Sequence, residues 1–341
     1  MNKGIVLQLV LFLTIQLPAQ KQDKQTFKIM SYNVDNFFDC VHDSLSNDYE
    51  FLPTGIRAWN YPKYQKKQAN ISKVIAAVGG WGAPALVGLC EVESDKCLFD
   101  LTHFAGLKAF RYKYIHYDSP DPRGIDVALL YQPAQFKPIH SEAIRITYPS
   151  SHESKTRDIL FAKGLIPTGD TLHVFVCHLP SRIEGEKESE GKRKYVASVL
   201  RLKVDSIFKA GHQPKIVIMG DFNDYPTNSS ISEVLKARPL TDSIIGNSLY
   251  NLMYKMQLEG KGSTKYQGEW GVLDQIIVSG NLLNKTGSFY TTQDNAHIFD
   301  AGFLLENDTK FLGKQPFRTY TGMKYHDGFS DHLPVYAEFW Y

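Results

Sequence analysis

Short apolar runs recur along this chain, and their spacing constrains the fold more than any other feature of the sequence. The runs are rich in β-branched and aromatic residues and have the length of buried strands. They cover residues 27–32, 85–90, 112–117, 126–131, 172–177, 215–220, 273–279 and 333–341. Two segments with helical periodicity, 65–80 and 189–211, lie between some of them and end in glycine. This mixture predicts a single α/β domain built in layers.

The start of the chain predicts a removable export signal. Lys3 precedes an apolar stretch at 5–15, and the stretch is followed by QLPAQ, as in a secretory signal peptide. We expect cleavage near Ala19 or Gln20, which assigns 1–20 to the signal and 21–341 to an exported domain, periplasmic or secreted. The alternative is an uncleaved anchor, but the apolar stretch is shorter than the roughly 20 residues that a membrane span requires.

Charge and cysteine content narrow the classes of partner and site. The formal net charge is +2, or +1 without the segment that holds Lys3, which is not the signature of a polyanion-binding protein. Nucleic acid stays possible through a local basic patch, and small phosphate esters or lipid headgroups are not excluded. The cysteines, which form neither a CxxC metal spacing nor a dense disulfide framework, are Cys40, Cys90, Cys97 and Cys177. Export permits a disulfide among them without requiring one.

Two stretches have neither strand nor helix periodicity. Residues 39–63 contain Trp59 and Tyr61, and residues 180–192 are dense in charge. Both are predicted to be long surface loops, and long loops in compact domains are often functional. The alternative is that they are simply solvated.

Polar residues follow several apolar runs at the point where each run ends. Asn33 and Asp35 follow the first run, Glu91 the second, His178 a later one, and Asp221, Asn223 and Asp224 the run that ends at 220. Two late runs show the reverse order, because Asp274 precedes one of them and Asp331 with His332 precedes the other. If parallel strands end and antiparallel strands begin at one sheet edge, these side chains gather there.

Such a cluster indicates a particular chemistry. Polar residues at strand ends are common in ordinary loops, so the repetition over six runs is what favours a site. Clustered carboxylate and amide oxygens repel one another unless a hard cation lies among them, and they suit Mg²⁺, with Mn²⁺ or Ca²⁺ as alternatives. The histidines are then candidates for proton transfer or for contact with phosphate oxygens.

Seven segments together resemble the endonuclease/exonuclease/phosphatase superfamily, which includes deoxyribonuclease-like, inositol-phosphatase-like and sphingomyelinase-like branches. They are SYNVDNF (31–37), LCEVE (89–93), RGIDVALLY (123–131), CHLPS (177–181), GDFND (220–224), LDQIIVS (273–279) and SDHLPV (330–335). The resemblance runs from residue 27 to 341, and GDFND with SDHLPV is its most specific part. It implies an α/β fold, a four-layer α/β sandwich with two packed mixed β-sheets flanked by helices.

The resemblance also implies roles for individual residues. Asn33, Asp35, Glu91 and Asp331 match the divalent metal environment, with Glu91 as the principal ligand. The catalytic positions are matched by His178, Asp221, Asn223, Asp274 and His332. Of these, Asp221 and Asn223 match the pair that orients or deprotonates the attacking water, and Asp274 matches the acid that orients His332. His178 stands where abasic-site endonucleases carry tyrosine, which makes a repair role the less favoured one.

Three arginines are candidates for binding the substrate phosphate, because a guanidinium forms paired hydrogen bonds to phosphate oxygens. Arg123 opens RGIDVALLY, Arg157 precedes a strand-like run at 158–165, and Arg182 follows CHLPS. The ordinary alternative for each is a solvated surface charge.

Two enzyme classes and one binding class remain after this reasoning. The favoured hypothesis is an exported, metal-dependent phosphodiesterase acting on nucleic acid through in-line attack of water. The second takes a phospholipid or inositol phosphate, with residues 51–62 as a candidate membrane-contacting loop. The third, a non-catalytic binding module, has no chemical need for the full set of acids and histidines. We expect a monomer with no obligate protein partner.

Overall fold

The structure, a computed structural model, describes Met1 and residues 25–150, 155–183, 185–240 and 243–341. Its strands are β1 Thr26–Phe37, β2 Leu86–Val92, β3 Lys113–His116, β4 Asp126–Tyr131, β5 Lys137–Ile144, β6 Ile159–Leu165, β7 Thr171–His178, β8 Lys215–Asp221, β9 Ala237–Arg238, β10 Leu249–Asn251, β11 Thr264–Tyr266, β12 Glu269–Gly271, β13 Asp274–Ser279, β14 Ala296–Ile298, β15 Leu305–Asn307, β16 Lys314–Pro316, β17 Tyr320–Thr321, β18 Lys324–Tyr325 and β19 Val335–Trp340. Its α-helices are α1 Tyr61–Gly79, α2 Asp95–His103, α3 Glu186–Ala210 and α4 Tyr254–Leu258. Apart from Met1, the predicted signal segment lies outside the described residues.

The larger strands form two mixed sheets. One has six strands in the order β14-β19-β1-β2-β4-β3, and the other has seven in the order β5-β6-β7-β8-β13-β10-β9. In each sheet a central parallel pair, β1 with β2 or β7 with β8, is flanked by antiparallel neighbours. The remaining short strands pair as hairpins.

The two sheets pack face to face, and helices cover their outer faces. Phe27 and Ile29 of β1 share one core with Val174 of β7 and Val217 of β8, and this core fills the space between the sheets. Successive β1 residues alternate sides, so Met30 packs instead in a second core with α1 and α2. The helix α3 packs in a third core on the other sheet. The predicted four-layer α/β sandwich is confirmed.

Strands buried on both faces explain the continuous apolar runs. Each of the eight predicted runs overlaps an observed strand, and the run at 158–165 contains β6. The sequence reasoning did not find β5, α2, α4 or the short strands β9–β12 and β14–β18.

Helix boundaries were the weaker predictions. The helix α1 begins at Tyr61, before the predicted 65, because the Asn60 side chain accepts a hydrogen bond from the Lys63 amide and caps its first turn. The prediction of a loop over 180–192 is wrong for its second half, where α3 already begins at Glu186. Acidic residues in a first turn favour a helix by interacting with its dipole, so charge density there did not indicate a loop.

The predicted loop at 39–63 is irregular up to Asn60, with one 3₁₀ turn at Tyr49–Phe51. Trp59 is buried, and its indole nitrogen donates a hydrogen bond to the Phe38 carbonyl at 3.0 Å. All four cysteines are free thiols. Among the described residues, no helix has both the length and the apolar character needed to cross a bilayer.

Candidate active site

The seven-stranded sheet brings three of the predicted residues side by side. His178 is the last residue of β7, Asp221 is the last of β8, and these two are paired in the parallel register. Asp274 is the first residue of β13 and lies opposite Asp221 in the antiparallel register. The expected reversal, in which an antiparallel strand begins where parallel strands end, is therefore found here.

The six-stranded sheet brings the other group to the same edge. Asn33 in β1 pairs with Cys90 in β2, so Glu91 follows at the same level. The strand β19 runs antiparallel to β1, and Asp331 and His332 lie just before it. The polar residues therefore meet where two sheets end together, not along one sheet.

The backbone conformation is unusual at four residues in or next to the site. Asp35, Asn36, Glu91 and Asn223 all have positive φ, between 49° and 67°, which is uncommon for residues with a side chain. In β1 the register against β2 shifts between Asn33 and Phe37. Backbone strain of this kind collects at functional sites, where the surrounding structure maintains it.

Asn33 joins the two sheets at the centre of the site. Its Nδ2 donates to Asp221 Oδ2 at 3.0 Å and lies 3.3 Å from Glu91 Oε1. The other oxygen of Glu91 accepts a hydrogen bond from the Asn36 amide at 2.9 Å. Asn33 Oδ1 accepts from the Asp35 amide at 3.0 Å. The Asn33 side chain thus fixes the distance between Glu91 of one sheet and Asp221 of the other.

One ring nitrogen of His332 is held by a buried acid, and the other faces two further carboxylates. Its Nδ1 lies 2.6 Å from Asp274 Oδ2, and the same oxygen accepts a hydrogen bond from the Ser263 hydroxyl at 2.7 Å. Its Nε2 lies 3.8 Å from Asp221 Oδ2 and 4.0 Å from Asp331 Oδ1. Asp331 and His332 therefore lie together with Asp221 in one cluster of side chains.

His178 and Asn223 complete the arrangement around Asp221. His178 Nε2 lies 3.5 Å from Asp221 Oδ2 and 3.9 Å from Glu91 Oε1. The Asn223 amide donates to Asp221 Oδ1 at 2.8 Å, and its side-chain Nδ2 donates to the Leu179 carbonyl at 2.9 Å. Asp221 is thus oriented through both oxygens.

A family model described as endonuclease/exonuclease/phosphatase family matches residues 28–340. The chain belongs to this family. No match was found among curated proteins.

Solved structures of this family share the fold at low sequence identity. A mannosyl-6-phosphatase from Bacteroides thetaiotaomicron is 16% identical with a TM-score of 0.57, covering 92% of this chain and 99% of its own. A family protein from the same organism is 15% identical with a TM-score of 0.56, covering 94% and 99%. D. rerio TDP2, solved with a single-strand DNA product, is 15% identical with a TM-score of 0.55, covering 92% and 98%.

Burial dominates the electrostatics of the acids in this endonuclease/exonuclease/phosphatase site. It raises the pKa of Glu91, Asp35 and Asp221 above the ordinary carboxyl range. The Arg123 guanidinium lowers the pKa of Glu91, and the charges of Asp331 and Asp35 raise it further. Such a group of acids is costly to ionise without a compensating positive charge.

The two histidines have opposite tendencies. Burial lowers the pKa of His178, and the positive charges of Arg157, Arg123 and His332 lower it further. Burial also acts to lower the pKa of His332, but the charges of Asp274 and Asp221 outweigh it and raise that pKa well above its usual range. His332 is therefore suited to carry a proton, and His178 to stay neutral.

The sequence reasoning missed two basic residues that support the acids of the site. One lies in the 317–331 segment and the other lies in α1. Arg318 forms a short ion pair with Asp331. Burial acts to raise the pKa of Asp331, but the charges of His332 and Arg318 lower it overall. Lys67 is buried, and its ammonium donates to Thr319 Oγ1 at 2.6 Å and to the Phe329 carbonyl at 2.7 Å. No local pattern marks a lysine or arginine for such distant partners.

Two serines were also missed. The Ser330 hydroxyl donates to the Asn33 carbonyl at 2.7 Å and accepts from the His332 amide at 3.0 Å. Ser263 orients Asp274, as described above. Ser330 could have been noticed because it lies directly before Asp331 and His332 in the SDHLPV segment.

The three predicted phosphate-binding arginines differ in their surroundings. Arg157 is buried, pairs with Asp121 at 3.0 Å and donates to the Leu179 carbonyl at 2.8 Å. Arg182 donates to the Asn223 carbonyl at 2.6 Å and to Asp224 at 3.0 Å, so it supports the loop that carries Asn223. Arg123 is about half exposed and acts electrostatically on Glu91. Of the three, Arg123 has the guanidinium most available to a ligand.

The donor set fits a hard divalent cation. Glu91, Asp35 and Asp331 offer carboxylate oxygens whose charges act on one another and on Arg318, and Mg²⁺ prefers oxygen ligands of this kind. Asp221, Asp274 and His332 also place ligand atoms within 4.8 Å of one another. That second set suits proton transfer better, because Asp274 already engages His332 Nδ1.

Proposed function

We propose that this protein is an exported, metal-dependent phosphoesterase that hydrolyses phosphodiester bonds, with nucleic acid as the favoured substrate. The observation that carries the proposal is the position of His332, which Asp274 holds and whose raised pKa favours a proton, beside Asp221, which Asn33 connects to Glu91. The DNA product in the D. rerio TDP2 structure supports nucleic acid as substrate. Family membership supports phosphoester hydrolysis.

The proposed mechanism divides the steps of in-line attack among the residues. When bound at Glu91 and its neighbours, the cation supplies positive charge against the phosphoryl oxygens. Asp221 accepts the proton of the attacking water, because its pKa is raised by burial and Asn223 orients it. Protonated His332 faces the phosphoryl group and gives its proton to the leaving oxygen as the bond from that oxygen to phosphorus breaks, and neutral His178 donates a hydrogen bond to a phosphoryl oxygen. Proton transfer of this kind contributes about 10²- to 10⁴-fold in rate.

The test is hydrolysis across a panel of DNA, RNA, sphingomyelin, phosphoinositides, mannose 6-phosphate and bis-p-nitrophenyl phosphate, with and without Mg²⁺. We expect Mg²⁺-dependent cleavage of nucleic acid that EDTA abolishes. His332→Ala and Asp274→Asn should each lower kcat by about 10²-fold or more. His140→Ala, at an exposed position on β5, is the matched control and should keep full activity. Lack of hydrolysis of every substrate with every divalent cation would contradict the proposal.

A phospholipid or inositol phosphate remains the second candidate substrate, and one observation favours it. The irregular segment before α1 exposes large apolar side chains, which include Val41, Leu45, Tyr49 and Ile56. Exposed apolar groups of this kind can contact a membrane. Co-flotation of the protein with sphingomyelin or phosphoinositide liposomes, together with headgroup release, would favour this substrate over nucleic acid.

A further inference from the structure

A small cavity of about 240 Å³ opens beside two of the predicted metal-site acids. Its walls combine acids, arginines and aromatic rings, among them Asp35, Asp331, Arg57, Arg318, Phe51 and Tyr320. We name it the Arg57 pocket. It is smaller than the pockets that enclose whole drug-sized ligands, so it has room for one group of a larger substrate.

Arg57 is fixed at the wall of this pocket by contacts on several sides. Its Nε donates to Glu50 Oε2 at 2.9 Å, and its Nη1 donates to the Gly322 carbonyl at 3.2 Å. The guanidinium carbon lies 5.1 Å from the centre of the Phe51 ring and 5.0 Å from that of Tyr320. Among the described residues, none accepts a hydrogen bond from Nη2. The side chain is therefore held in place with donor capacity to spare.

The aromatic walls are themselves braced. Phe51 stacks on Phe38 with ring centres 4.2 Å apart, and Trp59 donates to the Phe38 carbonyl. The Tyr320 hydroxyl donates to the Arg57 carbonyl at 2.9 Å, which ties the β17–β18 hairpin to this segment. A pocket shaped before binding costs little to order, so its contacts are available for affinity.

The charge of the pocket depends on the cation site beside it. Asp35 and Asp331 belong to the proposed metal environment, and a bound divalent cation offsets their charge. The charges of Arg57 and Arg318 are then less fully cancelled by acids, although Glu50 still pairs with Arg57. Guanidinium groups with unused donors bind phosphate oxygens well.

We propose that the Arg57 pocket binds a second phosphate of the substrate, next to the phosphate that is hydrolysed. This inference rests on the proposed phosphoesterase activity for its geometry. A second phosphate could come from the neighbouring position of a nucleic-acid backbone or from a polyphosphorylated inositol. The chemistry recognised is the same in both cases.

The test compares matched substrates that differ by one phosphate. The p-nitrophenyl ester of thymidine 5′-phosphate is assayed with and without a 3′-phosphate, and myo-inositol bisphosphate and monophosphate are compared as inhibitors. We expect Arg57→Gln to raise KM for the bisphosphate by about 10- to 100-fold. It should change KM for the monophosphate by less than about twofold, and Arg57→Lys should fall between Arg57→Gln and the wild type. The source of the second phosphate is identified by the ligand pair, thymidine or inositol, whose preference for the bisphosphate falls more in Arg57→Gln.

Arg201→Gln is the control variant. Arg201 has the same 19% side-chain exposure as Arg57 and likewise bonds one carboxylate and one backbone carbonyl, those of Asp205 and Leu235. It should keep the wild-type preference for bisphosphates. Unchanged monophosphate kinetics and an unchanged melting temperature for Arg57→Gln confirm that the variant is folded.

Binding separates this proposal from the proposed activity. The affinities of thymidine 3′,5′-bisphosphate and thymidine 5′-monophosphate are measured by calorimetry with Ca²⁺ present. A bisphosphate preference that Arg57→Gln removes supports the pocket even if no substrate is hydrolysed. Equal affinities in the wild type, or a preference that survives Arg57→Gln, overturn the inference even if hydrolysis is found.

Discussion

At the scale of single residues, Glu93 lies buried two positions after Glu91, and its Oε2 accepts a hydrogen bond from the Asp39 amide at 2.6 Å. Burial raises the pKa of Glu93 to about 8 from 4.5, helped by the charges of Asp39 and Asp48 and opposed by that hydrogen bond. The folded protein therefore keeps this carboxyl protonated at a pH where the unfolded chain has released the proton.

The sign of the effect on stability follows from this difference. Between pH 4.5 and about 8 the folded state binds more protons at Glu93 than the unfolded state does. The stabilisation is complete below the unfolded pKa and is lost as the pH rises through the folded one. We expect Glu93→Gln, which stays neutral, to reduce the loss of unfolding free energy between about pH 5 and about pH 8.5 by a few kcal/mol.

The measurement is urea unfolding in EDTA at several pH values. Glu338→Gln is the control, because Glu338 pairs with Lys28 at 3.3 Å and is not buried. It should leave the pH dependence unchanged. Parallel pH curves for the wild type and Glu93→Gln would show that Glu93 does not titrate as argued.

At the scale of elements, the parallel pair β7 and β8 depends on a glycine next to the site. Gly220 has φ +144°, and a Cβ there would lie 1.8 Å from the Cys177 carbonyl oxygen. Since His178 and Asp221 are the next residues on the two strands, the separation of these catalytic candidates depends on this close approach.

Gly220→Ala should therefore destabilise the protein and disturb the site together. We expect a loss of about 3 kcal/mol or more in unfolding free energy, from positive-φ strain and overpacking. Gly169→Ala is the control: its φ is +82°, but nothing lies within 4 Å of its added Cβ, so a cost of about 1 kcal/mol is expected. Urea unfolding and kcat measure the two effects. Equal costs for the two substitutions would contradict the role given to the Cys177 carbonyl.

Lys67 links α1 to the segment before β19 through two buried hydrogen bonds. Lys67→Met should cost about 2–4 kcal/mol, because Thr319 and the Phe329 carbonyl lose a charged donor. It should also raise the pKa of Asp35, which the Lys67 charge lowers. Neighbouring Lys66 has an exposed ion pair with Asp327, so Lys66→Met should change stability by less than about 0.5 kcal/mol. Urea unfolding of both variants measures the two losses of unfolding free energy. Similar losses would contradict the stabilising role given to the buried Lys67.

At the scale of the whole molecule, the proposed cation site lies where the two sheets meet. Its acids come from β1, from β2 and from the segment before β19, and Asn33 connects Glu91 of this group to Asp221 of the other sheet. Because burial raises the pKa of Glu91, Asp35 and Asp221, a bound cation should stabilise the folded protein.

Mg²⁺ at about 100 times its Kd should add about 2.7 kcal/mol to the unfolding free energy, or several degrees in Tm. Glu91→Gln should remove most of this shift without lowering the Tm measured in EDTA, because it replaces a carboxylate that is costly to bury. Glu338→Gln should keep the full shift. Calorimetric melting in Mg²⁺ and in EDTA measures both, and an unchanged shift in Glu91→Gln would argue against this metal site.

The sequence by itself determined most strands of the two large sheets, the layered fold class and the polar residues that stand at the strand ends. These are local features: a run of apolar residues buries itself as a strand, and the residue that follows it leaves the sheet at a known edge. The family resemblance through GDFND and SDHLPV then indicated the two-sheet architecture, which the structure confirms. Burial on both sheet faces is the physical reason that these strands could be recognised as continuous apolar runs.

Tertiary structure decided what depends on distant partners. Arg182 and Arg157 donate hydrogen bonds to carbonyl groups within the protein. Arg57, which the sequence analysis did not single out, lines a cavity beside Asp35 and Asp331. The charges of Asp274 and Asp221 raise the pKa of His332, whereas burial and the positive charges of its neighbours lower the pKa of His178. A side chain's partners and its burial are set by contacts between segments far apart in the chain, and those contacts have no local pattern.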